Sequence, residues 1–164
     1  MEVYCLFMMR KKEKVITMTV TLVLVVILIC IKITHFVIIE RPLKQCRIVS
    51  AYHLTVDTNG AQIDQSWLFE KDDLTYINIA KTFEQTYFVT DYIGSSSDSD
   101  AFNELTIAFG ETMDRMPDIR ITISENGYIQ INGKRAYPLS LKYAGKRLYV
   151  HLLGCLQDGA DLQQ

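Results

Sequence analysis

An uncharged apolar run near the N-terminus constrains this chain more than any other feature. Val15–Ile31 reads VITMTVTLVLVVILICI, seventeen residues without a charge, a Gly or a Pro. At about 1.5 Å per residue, a helix of this length is near the lower limit for crossing a bilayer core of about 30 Å. Lys32 can direct its amino group towards the headgroups, so the apolar segment extends to Ile39. We therefore predict a transmembrane anchor over residues 15–39.

The charges before the anchor predict its orientation. Arg10, Lys11, Lys12 and Lys14 directly precede the apolar run. Segments rich in Lys and Arg remain on the cytoplasmic side of a membrane. Residues 1–14 are thus predicted to be cytoplasmic and residues 43–164 to lie outside, which in a bacterium is the periplasm.

A cleaved signal peptide and a buried helix of a soluble protein are the alternatives to an anchor. A signal peptide ends in a small-residue cleavage site, and the sequence Ile-Cys-Ile-Lys-Ile-Thr-His after the apolar run has none. A buried helix rarely combines an unbroken β-branched run with a basic cluster. The sequence favours an uncleaved single span.

Size and charge restrict what the exported part can be. The chain has 164 residues and a net charge of −2, and residues 43–164 contain eleven Lys and Arg against sixteen Asp and Glu. An acidic module is repelled by phosphate backbones, so direct nucleic-acid binding is not expected. About 120 residues suffice for one modest core, which excludes a large multidomain enzyme.

The exported part, residues 43–156, mostly alternates between apolar and polar residues, as strands do. Asn126-Gly127 and Asn132-Gly133 separate alternating segments and are strong hairpin signals. Residues 94–100 read GSSSDSD and predict a flexible loop, whereas residues 101–109 are ambiguous between helix and strand. The predicted strands cover residues 47–56, 65–70, 74–80, 83–93, 119–123, 129–131, 139–143 and 148–152.

Together these segments predict a mainly β protein. We expect one N-terminal transmembrane helix, followed by a small antiparallel β-barrel or sandwich-like domain with at most one short helix. Residues 157–164 form a polar tail without predicted structure.

The cysteines are distributed by compartment. Cys5 is predicted to be cytoplasmic and Cys30 to lie in the membrane, whereas Cys46 and Cys155 are the exported pair. Two cysteines in an oxidising compartment most simply form a disulfide, and this one would connect the ends of the domain. Two isolated thiols lack the further ligands that zinc requires.

No catalytic motif is present. His35 belongs to the membrane exit, while His53 and His151 fall in predicted strands that could bring them together. Ordinary strand histidines are the favoured interpretation over a metal or pH-sensing pair. The many aromatic residues are best explained as core, with an apolar ligand or a docked partner as the alternative. We expect no enzyme activity, no cofactor and no metal.

The layout of the chain resembles the enterobacterial FidL-like membrane proteins and, more loosely, ToxS. The residues that carry the resemblance are the basic start Arg10–Lys14, the span, Cys46, the segment Asp114–Asp118 before the last hairpins, and Cys155. These relatives are small single-span inner-membrane proteins with a periplasmic β-rich domain.

The resemblance implies an accessory function. Such a protein would bind the periplasmic domain of a ToxR-like or CadC-like transmembrane transcription regulator, and would stabilise it or support its signal sensing. It also implies an amphipathic small molecule, such as a bile acid, as a ligand. A scaffold subunit of an envelope transport or secretion complex would have the same topology and is the alternative.

Overall fold

The computed structural model describes residues 2–57, 60–90, 103–112, 115, 117–140 and 142–162. The chain divides into two compact units, residues 1–34 and residues 35–164. The first unit consists of helix α1, Glu2–His35. In the second unit, a π-helical turn Phe36–Glu40 and the short helix α2, Arg41–Gln45, precede the sheet.

Helix α1 has the composition that the apolar run predicts. Among the described residues, one helical segment, Lys14–Gln45, is long and apolar enough to cross a membrane. A signal sequence near the N-terminus would meet the same criteria. Thr19, Thr21 and Thr34 each donate the side-chain hydroxyl to the carbonyl four residues earlier, at 2.9 Å. The hydroxyls are therefore satisfied within the helix, as an apolar surrounding requires.

The second unit is built on an antiparallel sheet of seven strands, in the order β2-β1-β4-β5-β6-β7-β3. The consecutive pairs β1–β2, β4–β5, β5–β6 and β6–β7 are neighbours, whereas β4 pairs with β1 and β3 pairs with β7 at the far edge. The strands are β1 Ile48–Asp57, β2 Gly60–Glu70, β3 Phe88–Thr90, β4 Glu104–Gly110, β5 Ile119–Ser124, β6 Ile129–Ile131 and β7 Lys134–Pro138.

One face of this sheet is apolar because the alternation along each strand is in register with its neighbours. Val49 pairs with Phe69 on one side and with Phe109 on the other, and Phe109 pairs with Ile119. The next row of the face continues in the same way through Ala51, Ile107, Ile121 and Ile131. These side chains are buried.

Two helices pack on this apolar face: α3, Leu74–Gln85, and α4, Lys146–Asp161. Tyr76 and Phe83 of α3 contact the Phe109 ring edge-to-face, with ring centroids 5.8 and 5.9 Å apart. Leu148, Leu152 and Leu156 of α4 recur every four residues and are fully buried. The core therefore lies between one sheet face and two helices.

The prediction of strands at residues 74–80 and 148–152 is wrong, because both segments are helical. In α3 the buried side chains recur at helical intervals, as Tyr76, Ile79 and Phe83 show. In a strand at this position, Val150 would be buried together with Leu152 and Tyr149 would be exposed. Instead Val150 is 66% exposed and Tyr149 is buried, as the helix α4 requires. The expectation of at most one short helix in the domain is wrong for the same reason.

Two further strand predictions need correction. Residues 83–93 were expected to form one strand, but α3 continues to Gln85 and the described strand β3 is Phe88–Thr90, while residues 91–93 lie outside the described residues. Residues 139–143 contain no described strand, and helix α4 begins soon after, at Lys146. Helix α4 ends at Asp161 and therefore includes part of residues 157–164, the tail that was predicted to lack structure.

The sheet is not closed into a barrel, since β2 and β3 form its two edges. The Asn132-Gly133 hairpin is confirmed: it joins β6 to β7 as a two-residue turn with φ of +50° and +76°. Both angles are positive, as a type I′ turn requires. The ambiguous segment is a strand over Glu104–Gly110, whereas the loop predicted at 94–100 lies outside the described residues.

Candidate functional site

The second face of the sheet is the candidate functional site, because no described helix of the second unit packs against it. We call it the open face. One row of side chains crosses it through Ser66, Tyr52, Thr106, Thr122 and Gln130, which are neighbours in the strand register. The positions are polar because they alternate with the buried residues of the apolar face.

A cleft of about 540 Å³ lies on the open face. Clefts of this size accommodate small ligands. Its lining contains hydroxyl, amide and charged groups, with Pro117 and Gly133 but without an aliphatic Val, Leu or Ile side chain. The lining residues are Tyr52, Glu104, Thr106, Pro117, Arg120, Thr122, Tyr128, Gln130, Asn132 and Gly133.

Hydrogen bonds hold part of this lining in place. The hydroxyls of Thr106 and Thr122 lie 3.1 Å apart across β4 and β5. The Gln130 amide donates to the Tyr128 hydroxyl at 3.0 Å. The carbonyl oxygen of the Asn132 side chain accepts a hydrogen bond from the backbone N–H of Arg120 at 2.8 Å. This bond uses the backbone of Arg120 and not its guanidinium group.

Beside the cleft, Arg135 is held by aromatic rings. Its guanidinium carbon lies 5.1 Å from the ring centroid of Tyr128 and 5.1 Å from that of Tyr137. Cation–π contacts at this distance stabilise the position of an arginine. Arg135 therefore orders the β7 side of the open face.

The edge strand β2 is the second surface feature. It is 11 residues long and carries exposed apolar side chains, with Ile63 at 66% and Leu68 at 41% exposure. The register with β1 shifts between His53 and Leu54, so Asp64 is an extra residue in β2. This bulge keeps Ile63 on the open face, opposite Leu54.

The bulge also places a carboxylate beside a buried imidazole. Asp64 Oδ2 lies 3.6 Å from His53 Nδ1, and the Tyr149 hydroxyl lies 2.7 Å from His53 Nε2. Burial raises the pKa of Tyr149, and Glu125 raises it further. The phenol is therefore neutral and shares a hydrogen bond with His53 Nε2, with the donor set by the His53 tautomer, and the group connects β2, β1 and α4.

His53 and His151 are not brought together by the fold. His151 contacts Thr82 on α3, with Nε2 and Oγ1 3.2 Å apart, and lies 3.8 Å from the Cys155 sulfur. Burial lowers the pKa of His151, and Lys142 lowers it further. Among the described residues, no group of three His, Cys, Asp or Glu side chains has the arrangement that a metal ion needs.

The predicted Cys46–Cys155 disulfide is not formed in this structure, in which both residues are free thiols. Cys46 is fully buried and donates to the Pro42 carbonyl at 3.2 Å, with Asp118 Oδ2 at 3.7 Å. Burial raises the pKa of Cys46 to about 12, and Asp118 contributes. Burial also raises the pKa of Cys155, together with Asp158. The disulfide stays a prediction for the oxidised protein.

His35 is a buried residue of the second unit, with an exposure of 1%. Its Nε2 lies 2.9 Å from the carbonyl oxygen of Glu84 and therefore donates to it. The ring also packs against Tyr87, with centroids 4.5 Å apart. His35 Nδ1 has no hydrogen-bond partner among the described atoms. The predicted membrane-exit histidine is thus a packing residue at the end of α3.

Comparisons with known proteins identify no relative. No family model matches the chain, and neither the curated proteins nor the solved structures contain a significant match.

The cleft residues were not singled out by sequence reasoning, although a signal was available. Arg120 and Thr122 alternate with the isoleucines of β5, and Gln130 stands between the two of β6. Polar residues at the alternate positions of a one-sided sheet face away from the core. The same periodicity that predicted the core strands therefore marked the open face.

Proposed function

We propose that this protein is a membrane-anchored accessory protein that binds the outer domain of another single-span membrane protein. The partner class that the sequence resemblance suggests is a ToxR-like or CadC-like transcription regulator. In this function the N-terminus is cytoplasmic and residues 43–164 are periplasmic, anchored in a bacterial inner membrane.

The exposed edge strand β2 is the observation that carries this proposal. Edge strands present unpaired backbone N–H and C=O groups, and natural proteins usually protect them with charged side chains, Pro, β-bulges or a very short strand. Strand β2 has one bulge, at Asp64, but it is 11 residues long, contains neither Lys nor Pro, and exposes Ile63 and Leu68. Such an edge suits pairing with a strand of a partner domain.

The apolar helix supports the proposal because a membrane anchor would raise the effective concentration of this protein near an anchored partner. Two proteins held in one membrane meet at a higher effective concentration than two free domains. An interface that is weak in solution is therefore sufficient between anchored partners. Catalysis forms no part of this proposal.

A photocrosslinking experiment in native membranes tests the proposal. The full chain carries the photoreactive amino acid p-benzoylphenylalanine in place of Ser66, an exposed residue of β2. We expect a crosslink to a protein that has one membrane span and an outer domain. The matched control carries the same group in place of Gln157, an exposed residue of α4, and should give no such product.

Charge substitutions on the edge make the test specific. Ile63→Lys and Leu68→Lys should abolish the crosslink, because a charged side chain opposes burial in an interface. Val150→Lys should leave it intact, since Val150 is as exposed as Ile63 but lies on α4. Equal crosslinking by all three variants would contradict docking at β2.

The identity of the crosslinked protein separates the proposal from its alternative. A subunit of an envelope transport or secretion complex would favour a scaffold function. The orientation has its own test, because a C-terminal reporter that is active only in the cytoplasm should remain inactive. The amphipathic ligand has less support, since the described cleft offers no aliphatic lining.

A further inference from the structure

The cleft on the open face carries two charged side chains whose charges are not neutralised by described residues. Arg120 lines one part of the cleft and Glu104 another. The described side chains provide no ion pair or hydrogen bond to either group. A guanidinium binds carboxylates in a bidentate manner, and a carboxylate binds ammonium groups. The cleft thus offers one site for an anion and one for a cation.

The strand register gives the spacing of these two sites. Arg120 on β5 pairs with Ala108 on β4, and Glu104 lies four residues before Ala108 on the same strand. Four residues of a strand correspond to about 13 Å. Thr122 lies between the two charges and offers a hydroxyl group, whereas its strand neighbour Thr106 is buried and hydrogen-bonded to it.

A short peptide with free ends has the matching dimensions and charges. An extended tetrapeptide spans about 13 Å from its ammonium to its carboxylate. The amide groups of the peptide need hydrogen-bond donors and acceptors. The Thr122 hydroxyl and the side chains of Gln130 and Asn132 can supply them. A lipid would need aliphatic lining, and a neutral sugar would leave both charges unpaired.

We propose that the cleft binds short zwitterionic peptides of about three to five residues, with the peptide carboxylate on Arg120 and the ammonium on Glu104. The cleft is lined by residues of β1, β4, β5, β6 and the β6–β7 turn, whereas the edge proposed for partner binding is β2. The inference does not depend on the proposed function, and either can fail without the other.

Calorimetric titration of the full chain in an uncharged polyoxyethylene detergent tests this inference. The probes are unblocked tetra-alanine, dialanine, N-acetyl-tetra-alanine amide, and maltotriose as a neutral sugar. We expect tetra-alanine to bind with a Kd below about 1 mM, and the blocked peptide and dialanine to bind at least about tenfold more weakly, since each loses charge-assisted hydrogen bonds.

Variants of the two charged residues make the experiment decisive. Arg120→Gln and Glu104→Gln should each weaken tetra-alanine binding about tenfold or more. The double exchange Arg120→Glu with Glu104→Arg should restore binding, because the peptide can then lie in the reverse direction. Lys146→Gln and Asp161→Asn, exposed residues of α4, are matched controls and should change nothing.

Three results would overturn the inference. Equal affinity for blocked and unblocked peptides would exclude recognition of the charged ends. Binding of maltotriose in preference to tetra-alanine would assign the cleft to sugars. Absence of tetra-alanine binding up to about 5 mM, where charge-assisted contacts should be saturating, would remove the site.

Discussion

The Tyr149 hydroxyl and His53 Nε2 lie 2.7 Å apart and join helix α4 to strand β1 across 96 residues of sequence. Tyr149 is 5% exposed and His53 is 8% exposed. A hydrogen bond between groups this buried contributes to stability mainly because its loss would leave the remaining group buried with neither a protein partner nor water to bond with. The pair therefore holds the C-terminal helix on the sheet at the β1 end of the core.

We predict that Tyr149→Phe lowers the free energy of unfolding by about 1–2 kcal/mol, because His53 Nε2 is left buried and unpaired. Chemical denaturation of the full chain in detergent, followed by the circular dichroism of the domain, measures the change. In a His53→Ala background the same substitution should cost clearly less. Equal costs in both backgrounds would show that the bond does not couple the two residues.

Two glycines of α4 should respond in opposite directions to alanine. A Cβ at Gly159 would overlap the Thr75 side chain of α3, whereas a Cβ at Gly154 would meet nothing within 4 Å. Gly154→Ala should stabilise the protein by about 0.5–1 kcal/mol through helix propensity. Gly159→Ala should destabilise it by about 1–3 kcal/mol through overpacking.

The same denaturation assay measures both alanine variants. Thr75→Ala removes the atoms that the new methyl group would meet, so it should recover part of the loss in Gly159→Ala. A stabilising effect of Gly159→Ala alone would contradict the close approach of α3 and α4.

Stability should fall when the solution is acidified below about pH 6.5, the pKa of an unperturbed histidine. Burial and Lys142 lower the pKa of His151 in the folded protein. The unfolded chain therefore takes up the proton first, and below that pH it binds more protons than the folded state. The stability associated with neutral His151 is present above pH 6.5 and is lost as the pH decreases towards the lower folded pKa.

Denaturation midpoints between pH 7.5 and 5 provide the measurement, and His151→Gln should flatten this dependence. The charged and titratable groups near His151 are Lys142, Tyr143 and Cys155. Identical pH profiles for both proteins would assign the dependence to other groups.

Cys46 should be unreactive while the protein is folded. Its thiol is fully buried, and its pKa of about 12 leaves very little thiolate at pH 8. We expect iodoacetamide to modify Cys46 at least about 100-fold more slowly than free cysteine, and rapidly after unfolding. Peptide mapping after timed labelling gives the rate at this residue.

Mapping without reduction tests the disulfide prediction in the same sample. A peptide linking Cys46 to Cys155 would show that oxidation draws Cys46 away from Pro42 and Asp118. If both thiols stay free in protein exported to an oxidising compartment, the disulfide prediction is wrong.

The parts of this fold that the sequence predicted well are those in which one local pattern suffices. The apolar helix follows from an uninterrupted run, and the β5–β6 hairpin follows from alternating isoleucines separated by Asn126-Gly127, whereas the strand after Asn132-Gly133 was predicted at residues 139–143 and lies at Lys134–Pro138. Each of these signals lies within a few residues of the structure that it specifies.

Short segments with mixed signals were decided by packing. Leu74–Gln85 contains Thr, Tyr and Ile, which favour strands, but it becomes helix α3 because Tyr76, Ile79 and Phe83 then reach one apolar sheet face. In α4, Leu148 and Leu152 fit both a strand and a helix, and the buried Tyr149 beside the exposed Val150 shows the helical interval. Intrinsic preference is weak over such lengths, so burial determines the outcome.

The sequence alone determined that the chain has an apolar helix of membrane-spanning length, hairpins at its Asn-Gly pairs and a single small domain. Only the tertiary structure decided that β3 pairs with β7 at the far edge, that the sheet stays open, and that Arg120 and Glu104 line one cleft. These features depend on contacts between residues far apart in the chain. No local periodicity encodes such contacts, because an apolar pattern indicates which face of a strand is buried but not which distant strand becomes its neighbour.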